Sequence, residues 1–353
     1  MSAFTRSSFA LIVVALAAAC GGEGPSAPPP TETTPEAAAR SYVDGAIDLM
    51  RDSSYYSSRV DWTAVRAAAH AEAAGSTTYA ATYPAILTAL AALGDRHSSL
   101  QPPAPGASAD RAGVTAHPAD SLDGELLGGR YGYVRVPTFA PPSRSYQLAS
   151  AFADTLQGLV RTVDGGAPCG WVVDLRHSLG DSVWPMLTGI GPILGAGSSL
   201  GSFLDAKGTI LTWWYDAGAS GLTNEFGVSG EAMKVSSAPY ALRAQNPPVA
   251  VLTDSLTAAG EEGLVVAFRG RPSTRTFGAA TYGVPTATTS IRLIDGATLA
   301  LTRWLYRDRN GRPYDAPIAP DEPVAQSGAP ATDDATVTAA TAWLATQPAC
   351  AGQ

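Results

Sequence analysis

Two short runs in this sequence are apolar almost without interruption: Cys169-Gly170-Trp171-Val172-Val173-Asp174-Leu175 and Pro248-Val249-Ala250-Val251-Leu252. A segment of this length with no polar face reads as a strand buried within a sheet. Helical patterns accompany both runs. Residues 145–163 form an amphipathic pattern, residues 183–194 and 259–269 follow the two runs, and residues 333–346 give a last helix. Shorter strand-like segments lie at 132–136, 209–215, 274–277, 290–293 and 298–308. Strands alternating with helices in this way specify an α/β domain with a mainly parallel central sheet. No internal repeat at solenoid periods is visible.

The region before this domain has a different character. Between residues 35 and 100 the runs Val65-Arg66-Ala67-Ala68-Ala69-His70-Ala71-Glu72 and Ala85-Ile86-Leu87-Thr88-Ala89-Leu90 place apolar residues three and four apart. They predict a small subdomain of three or four helices, the first capped by Thr34 or Glu36. Pro, Gly and Ser break the pattern at 101–108. The expected division is a helical subdomain at 37–100, a connector at 101–130 and the α/β domain at 131–350.

The first twenty residues read as an export signal. Arg6 precedes an apolar stretch from Phe9 to Ala19, shorter than the roughly 20 residues a membrane-spanning helix needs. Leu16-Ala17-Ala18-Ala19-Cys20 resembles a bacterial lipobox, in which the cysteine becomes the lipidated first residue. An ordinary cleaved signal with a chance cysteine is the other reading. Residues 21–36, rich in Gly, Pro, Ser and Thr, favour the lipoprotein, because they form a flexible tether between an anchor and a folded body. The expectation is an exported protein held to the membrane through Cys20. Cys169 and Cys350 then stand in an oxidising compartment and suggest one disulfide, with two buried free thiols as the alternative.

Several function classes can be set aside. The net charge is −8, there are only two lysines, Lys207 and Lys234, and the arginines are scattered, so nothing supplies the basic stripe that nucleic acid requires. Four dispersed histidines, with no H-x-x-x-H or C-x-x-C spacing, predict no metal, and no cofactor is expected. Gly189-Ile190-Gly191 lacks the spacing of a dinucleotide loop and reads as a helix-end breaker. Gly197-Ser198-Ser199-Leu200-Gly201 fits G-x-S-x-G, but a helix precedes it and a strand follows. That order is the reverse of a nucleophile elbow, so Ser199 is not a candidate nucleophile.

Five segments share an order and spacing. They are Leu93-Gly94-Asp95-Arg96-His97-Ser98; Gly132-Tyr133-Val134-Arg135-Val136; Trp171-Val172-Val173-Asp174-Leu175-Arg176; Val249 to Ala258, running on to Phe268-Arg269-Gly270-Arg271-Pro272 and Phe277-Gly278; and Pro317-Ile318-Ala319-Pro320-Asp321. Together they resemble the C-terminal-processing (tail-specific) serine protease family, in particular its tricorn-like members. The resemblance implies a crotonase-like β/α core. The short stretch between His97 and Gly132 leaves no room for the PDZ module that many members carry.

The family mechanism does not carry over intact. In the family the serine nucleophile lies three residues before a glutamate, at the start of the helix after the buried strand. Counting back from Phe268, the glutamate is Glu262 and the nucleophile position is Ala259. A methyl group cannot attack a carbonyl. Slipping the register to Glu261 brings Ala258 to the site and does not restore a hydroxyl. The lysine base of many members falls just past Thr281-Tyr282-Gly283, at Val284. Tricorn-like members use the histidine of the Asp-x-His-Ser segment instead, here His97, which is either poised in a cleft or a buried, hydrogen-bonded remnant. The resemblance places the oxyanion or peptide-binding segment at Ser178, Gly180 and Asp181, with Gly260 beside the nucleophile. Ser178 stands where the family has Asn, and Asp181 where it has glycine. An aspartate there opposes the negative charge of an oxyanion.

Two functions follow as expectations. One is an exported pseudoprotease that grips a peptide or unfolded segment without cutting it, since β-strand addition needs no nucleophile. The other is a serine peptidase using a non-standard residue such as Ser255 with His97.

Overall fold

The computed structural model describes residues 34–103, 122–139, 145–180, 182–325 and 334–351. The export signal, Cys20 and most of the tether lie outside them, as do Asp181 and most of the connector.

Three helices open the described chain: α1 (Pro35–Ser53), α2 (Trp62–Glu72) and α3 (Tyr83–Ala91). Proline at the first position of α1 costs no hydrogen bond there. Tyr42, Val43, Ala46, Ile47 and Met50 then recur at helical spacing on its buried face. Asp61 caps α2 by accepting from the amides of Thr63 and Ala64.

Next come β1 (Ser99–Gln101), β2 (Asp123–Leu127), β3 (Tyr131–Arg135), α4 (Tyr146–Asp164), β4 (Gly170–Asp174) and α5 (Val183–Leu194). The antiparallel strands β5 (Gly197–Leu204), β6 (Ile210–Asp216), β7 (Ala219–Thr223) and β8 (Ser229–Lys234) follow. The chain continues through β9 (Val249–Thr253), α6 (Gly260–Phe268), β10 (Thr274–Gly278), β11 (Thr286–Arg292) and β12 (Thr298–Arg307). It closes with β13 (Pro313–Tyr314), β14 (Glu322–Pro323) and α7 (Ala335–Ala345).

Two sheets result. The six-stranded sheet runs β14-β10-β9-β4-β3-β2, parallel throughout except for β2 at its edge. It is the expected α/β core, and both apolar runs lie at its centre as β4 and β9. Alternation along β9 sorts its side chains between two layers. Val249 and Val251 join α4, α5 and α6 on one face, whereas Ala250 and Leu252 join Ala340 and Leu344 of α7 on the other.

The second sheet has eight strands in antiparallel pairs and runs β1-β12-β5-β6-β7-β8, with β11 and β13 also pairing with β12. Its Phe203, Trp213 and Tyr306 form an aromatic cluster with Trp184, edge-to-face except for the tilted Phe203–Tyr306 pair, packed on the α4–α6 layer. Its opposite side is covered by the N-terminal helices, whose core residues pack on Leu299, Leu301 and Leu305. The helical segment is therefore built onto this sheet, and β1 pairs with β12 to fasten it there.

Three details differ from the sequence reading. Gly197 to Gly201, outside every predicted strand, is the first half of β5, with Ser199 exposed on it. The polar segments of β7 and β8 form a hairpin that the hydrophobic pattern does not announce. Gly189 and Gly191 lie inside α5 and do not end it. A Cβ on Gly191 would fall within the ring of Tyr215, so glycine is needed there for close approach of α5 to β6. Cys169 and Cys350 form a disulfide with Cα atoms 5.1 Å apart, which ties the end of the chain to the start of β4.

Candidate active site

The site forms where the C-terminal ends of β4 and β9 meet. After Thr253, the buried Asp254 organises the turn: its Oδ1 accepts from the amides of Leu256 (2.9 Å) and Thr257 (3.0 Å). Ser255 and Leu256 are exposed on this turn. The chain then turns inward to Ala259, at φ 51° and ψ −106°, and α6 begins at Gly260. Such a positive φ on an alanine costs about 1–3 kcal/mol and persists only where the surroundings enforce it.

Glu262 supplies the enforcement. Its Oε2 accepts from the amides of Ala259 and Val284, each at 2.9 Å. Its Oε1 accepts from Thr281 Oγ1 (2.5 Å) and the Gly283 amide (2.9 Å). Burial pushes the Glu262 carboxyl pKa up, against these four donors. The carboxyl group fastens the Ala259 elbow to the 281–284 segment, and Ala258, Ala259 and Val284 share an apolar cluster with Tyr282 packed on it. Glu262, and not Glu261, closes on the elbow. Ala259 and Val284, the two positions that the sequence resemblance assigned to the nucleophile and the lysine, are thus together in space, and carry a methyl and an isopropyl group.

The loop after β4 forms the second wall. Ala258 bridges to Leu179, and its amide donates to the Ser178 carbonyl (3.0 Å). Ser178 is buried, and its hydroxyl lies 2.5 Å from Glu261 Oε1 and 3.0 Å from Thr138 Oγ1. Glu261 is wholly buried, and burial pushes its pKa up to about 7. Gly180 lies against it: a Cβ there would coincide with the carboxyl group. Gly260 is confined by Met186 Cε and the backbone of Ser182.

His177 is a feature the sequence analysis did not single out. At φ 57° it turns its ring to Asp254, with Nδ1 2.9 Å and the backbone amide 3.0 Å from Oδ2. This pair knots the β4 and β9 loops together. Its members are 77 residues apart, so only the adjacency of the two strands reveals it.

The Asp-x-His-Ser segment approaches from the helical side. Asp95 accepts from the Ser98 amide and hydroxyl, and Ser98 Oγ accepts from the Thr302 amide (2.9 Å), which fixes the loop to β12. Arg96 stacks over the Tyr282 ring at 4.2 Å and donates to its carbonyl (3.1 Å). His97 Nδ1 lies 2.7 Å from Thr286 Oγ1, two residues beyond Val284. Among the described residues no group of three or more His, Cys, Asp or Glu is arranged to hold a metal, and no helix is long and apolar enough to cross a membrane.

This architecture has a family. The sequence pattern of peptidase family S41 matches residues 130–324, more than half of the chain, and the protein belongs to that family. Among its relatives, the nisin-resistance protein of Lactococcus lactis subsp. lactis is 24% identical over 283 residues, covering 79% of this chain and 81% of that protein. A lipoprotein from Streptococcus agalactiae superposes with a TM-score of 0.66 at 20% identity, over 87% of this chain and 96% of that one. The photosystem II D1 C-terminal processing protease gives 0.52 at 16% identity, over 82% and 93%. At these identities the likeness to the two solved structures is one of fold.

Proposed function

We propose that this protein is an exported, lipid-anchored S41 pseudopeptidase that binds an extended peptide and does not cleave it. The observation that carries the reading is Ala259. It occupies the elbow at the head of α6 with its strained backbone intact and Glu262 in place, yet has no hydroxyl. Serine acyl transfer needs a nucleophile, a base within reach and donors for the oxyanion. Val284 removes the lysine base that many members use, because an isopropyl group can neither take nor give a proton, and leaves His97, the base of tricorn-like members, as the remaining candidate.

Binding needs none of these groups, since main-chain pairing holds an extended peptide by its backbone. A lipobox-like Cys20, the tether after it and a structural relative called a lipoprotein support placement on the outer side of a membrane. A relative whose name concerns nisin resistance suggests nisin as one ligand to try.

The test is calorimetric titration of the purified protein with nisin and with unstructured casein peptides, followed by mass spectrometry of the same samples. The expected result is saturable binding with every peptide recovered whole. Absence of binding to any extended peptide would sink the proposal.

A further inference from the structure

The Glu261 carboxyl group has no role in holding the elbow, yet it is wholly buried at the centre of the site. One oxygen bonds Ser178 Oγ, and the other, Oε2, is buried with no well-formed hydrogen bond among the described residues, the Gly180 backbone amide beside the carboxyl group giving it only partial support. A carboxyl oxygen left so is costly, and natural folds rarely retain one without a reason. The group lies on the backbone of Gly180, within the loop that the Leu179–Ala258 bridge holds beside Ala259. The Glu261 amide in turn donates to the Ala258 carbonyl (3.2 Å), which keeps its backbone against the turn that carries Ala259.

We propose that Glu261 is an internal plug: its carboxyl group fills the place beside Gly180 and the elbow where a bound acyl group would put its carbonyl oxygen. The inference rests on the reading of Ala259 as the nucleophile position. It adds a second, separate lock. A hydroxyl restored at Ala259 would still meet a site whose anion pocket is already full. Ionised or protonated, the plug excludes the oxygen by its bulk.

Two readouts test the plug, one of which needs no catalysis. Glu261→Ala removes the carboxyl group and leaves space lined by Ser178 and Gly180. Sodium formate should then raise the Tm of Glu261→Ala by roughly 2–4 °C over an equal sodium chloride control, while leaving the wild type unmoved. In parallel, fluorophosphonate labelling is compared between Ala259→Ser and Ala259→Ser/Glu261→Ala. The double variant is expected to label about 100-fold faster, the scale of a restored oxyanion site.

Equal labelling of the two serine variants would overturn the proposal. So would a formate response in Glu261→Ala no larger than that of the wild type. Should Glu261→Ala not fold by circular dichroism, Glu261→Gln keeps the shape: labelling of Ala259→Ser/Glu261→Gln above Ala259→Ser would overturn a plug that acts by bulk, and equal, slow labelling is expected. Labelling of the wild type itself would refute the assignment of Ala259, a result distinct from every one above.

Discussion

Ala259 and His177 are two of the few non-glycine residues with positive φ, and they sit on the two loops that meet at the site. A positive φ persists where surrounding bonds hold a conformation the residue would not choose, and functional centres use such positions. Glu262 holds one of these residues and Asp254 the other. Glu261 is held differently, in full burial with Ser178 and the Gly180 backbone beside its carboxyl group, and this has a pH signature. Its pKa, raised from 4.5 to about 7 in the fold, means that the folded chain binds a proton the unfolded chain releases. Its contribution is fully present below about pH 4.5 and is lost as pH rises through about 7, on the order of 1–3 kcal/mol. The neighbouring Glu262, also raised, acts in the same direction. Glu261→Gln should flatten the fall of urea-unfolding stability between pH 5 and 8 relative to the wild type. A slope unchanged by the substitution would count against a neutral, buried Glu261. The pairing of Ala259 with Glu262 was legible from spacing, because both lie on one helical turn. The Glu261 contact with Gly180 was not, because it crosses between loops far apart in the sequence.

Four of the six strands in the mainly parallel sheet follow from composition, whereas β2 falls in the expected connector and the two-residue β14 is too short to show a pattern. Strands β4 and β9 are buried on both faces, so their apolar runs needed no periodicity to be recognised. The antiparallel sheet is harder to read. The β7–β8 hairpin carries Gly, Ser and Glu at a sheet edge, where solvent satisfies one face and the pattern fades. Strand β5 opens with Gly197-Ser198-Ser199, residues more usual in turns, and joins the sheet because Leu200 and Phe203 face the aromatic cluster. The same packing decides Gly191. Helix α5 lies so close to Tyr215 that Gly191→Ala should lose about 1–3 kcal/mol of stability through overpacking, although alanine is the better helix former. Chemical denaturation measures it, and a gain in stability would show that α5 can move off β6.

For the molecule as a whole, the order of layers explains why the framework stands without its chemistry. Helix α7, the parallel sheet, helices α4–α6, the antiparallel sheet and the N-terminal helices each bury one another's apolar faces, and none of the three clusters depends on the residues at Ala259 or Val284. The Cys169–Cys350 bridge closes a loop of 181 residues and fixes α7 beneath β4. Cys169→Ala/Cys350→Ala is expected to lower the unfolding free energy by about 2–5 kcal/mol without altering peptide binding. An unchanged midpoint in denaturant would show that α7 docks without the bridge.

Incubating the purified wild type and Ala259→Ser with casein, and following intact mass over time, tests the account most directly. The wild type should leave casein whole at every time point, because no hydroxyl stands at the elbow. Cleavage by the wild type, abolished by Ser255→Ala or His97→Ala, would contradict the account and make the protein a peptidase with its nucleophile elsewhere.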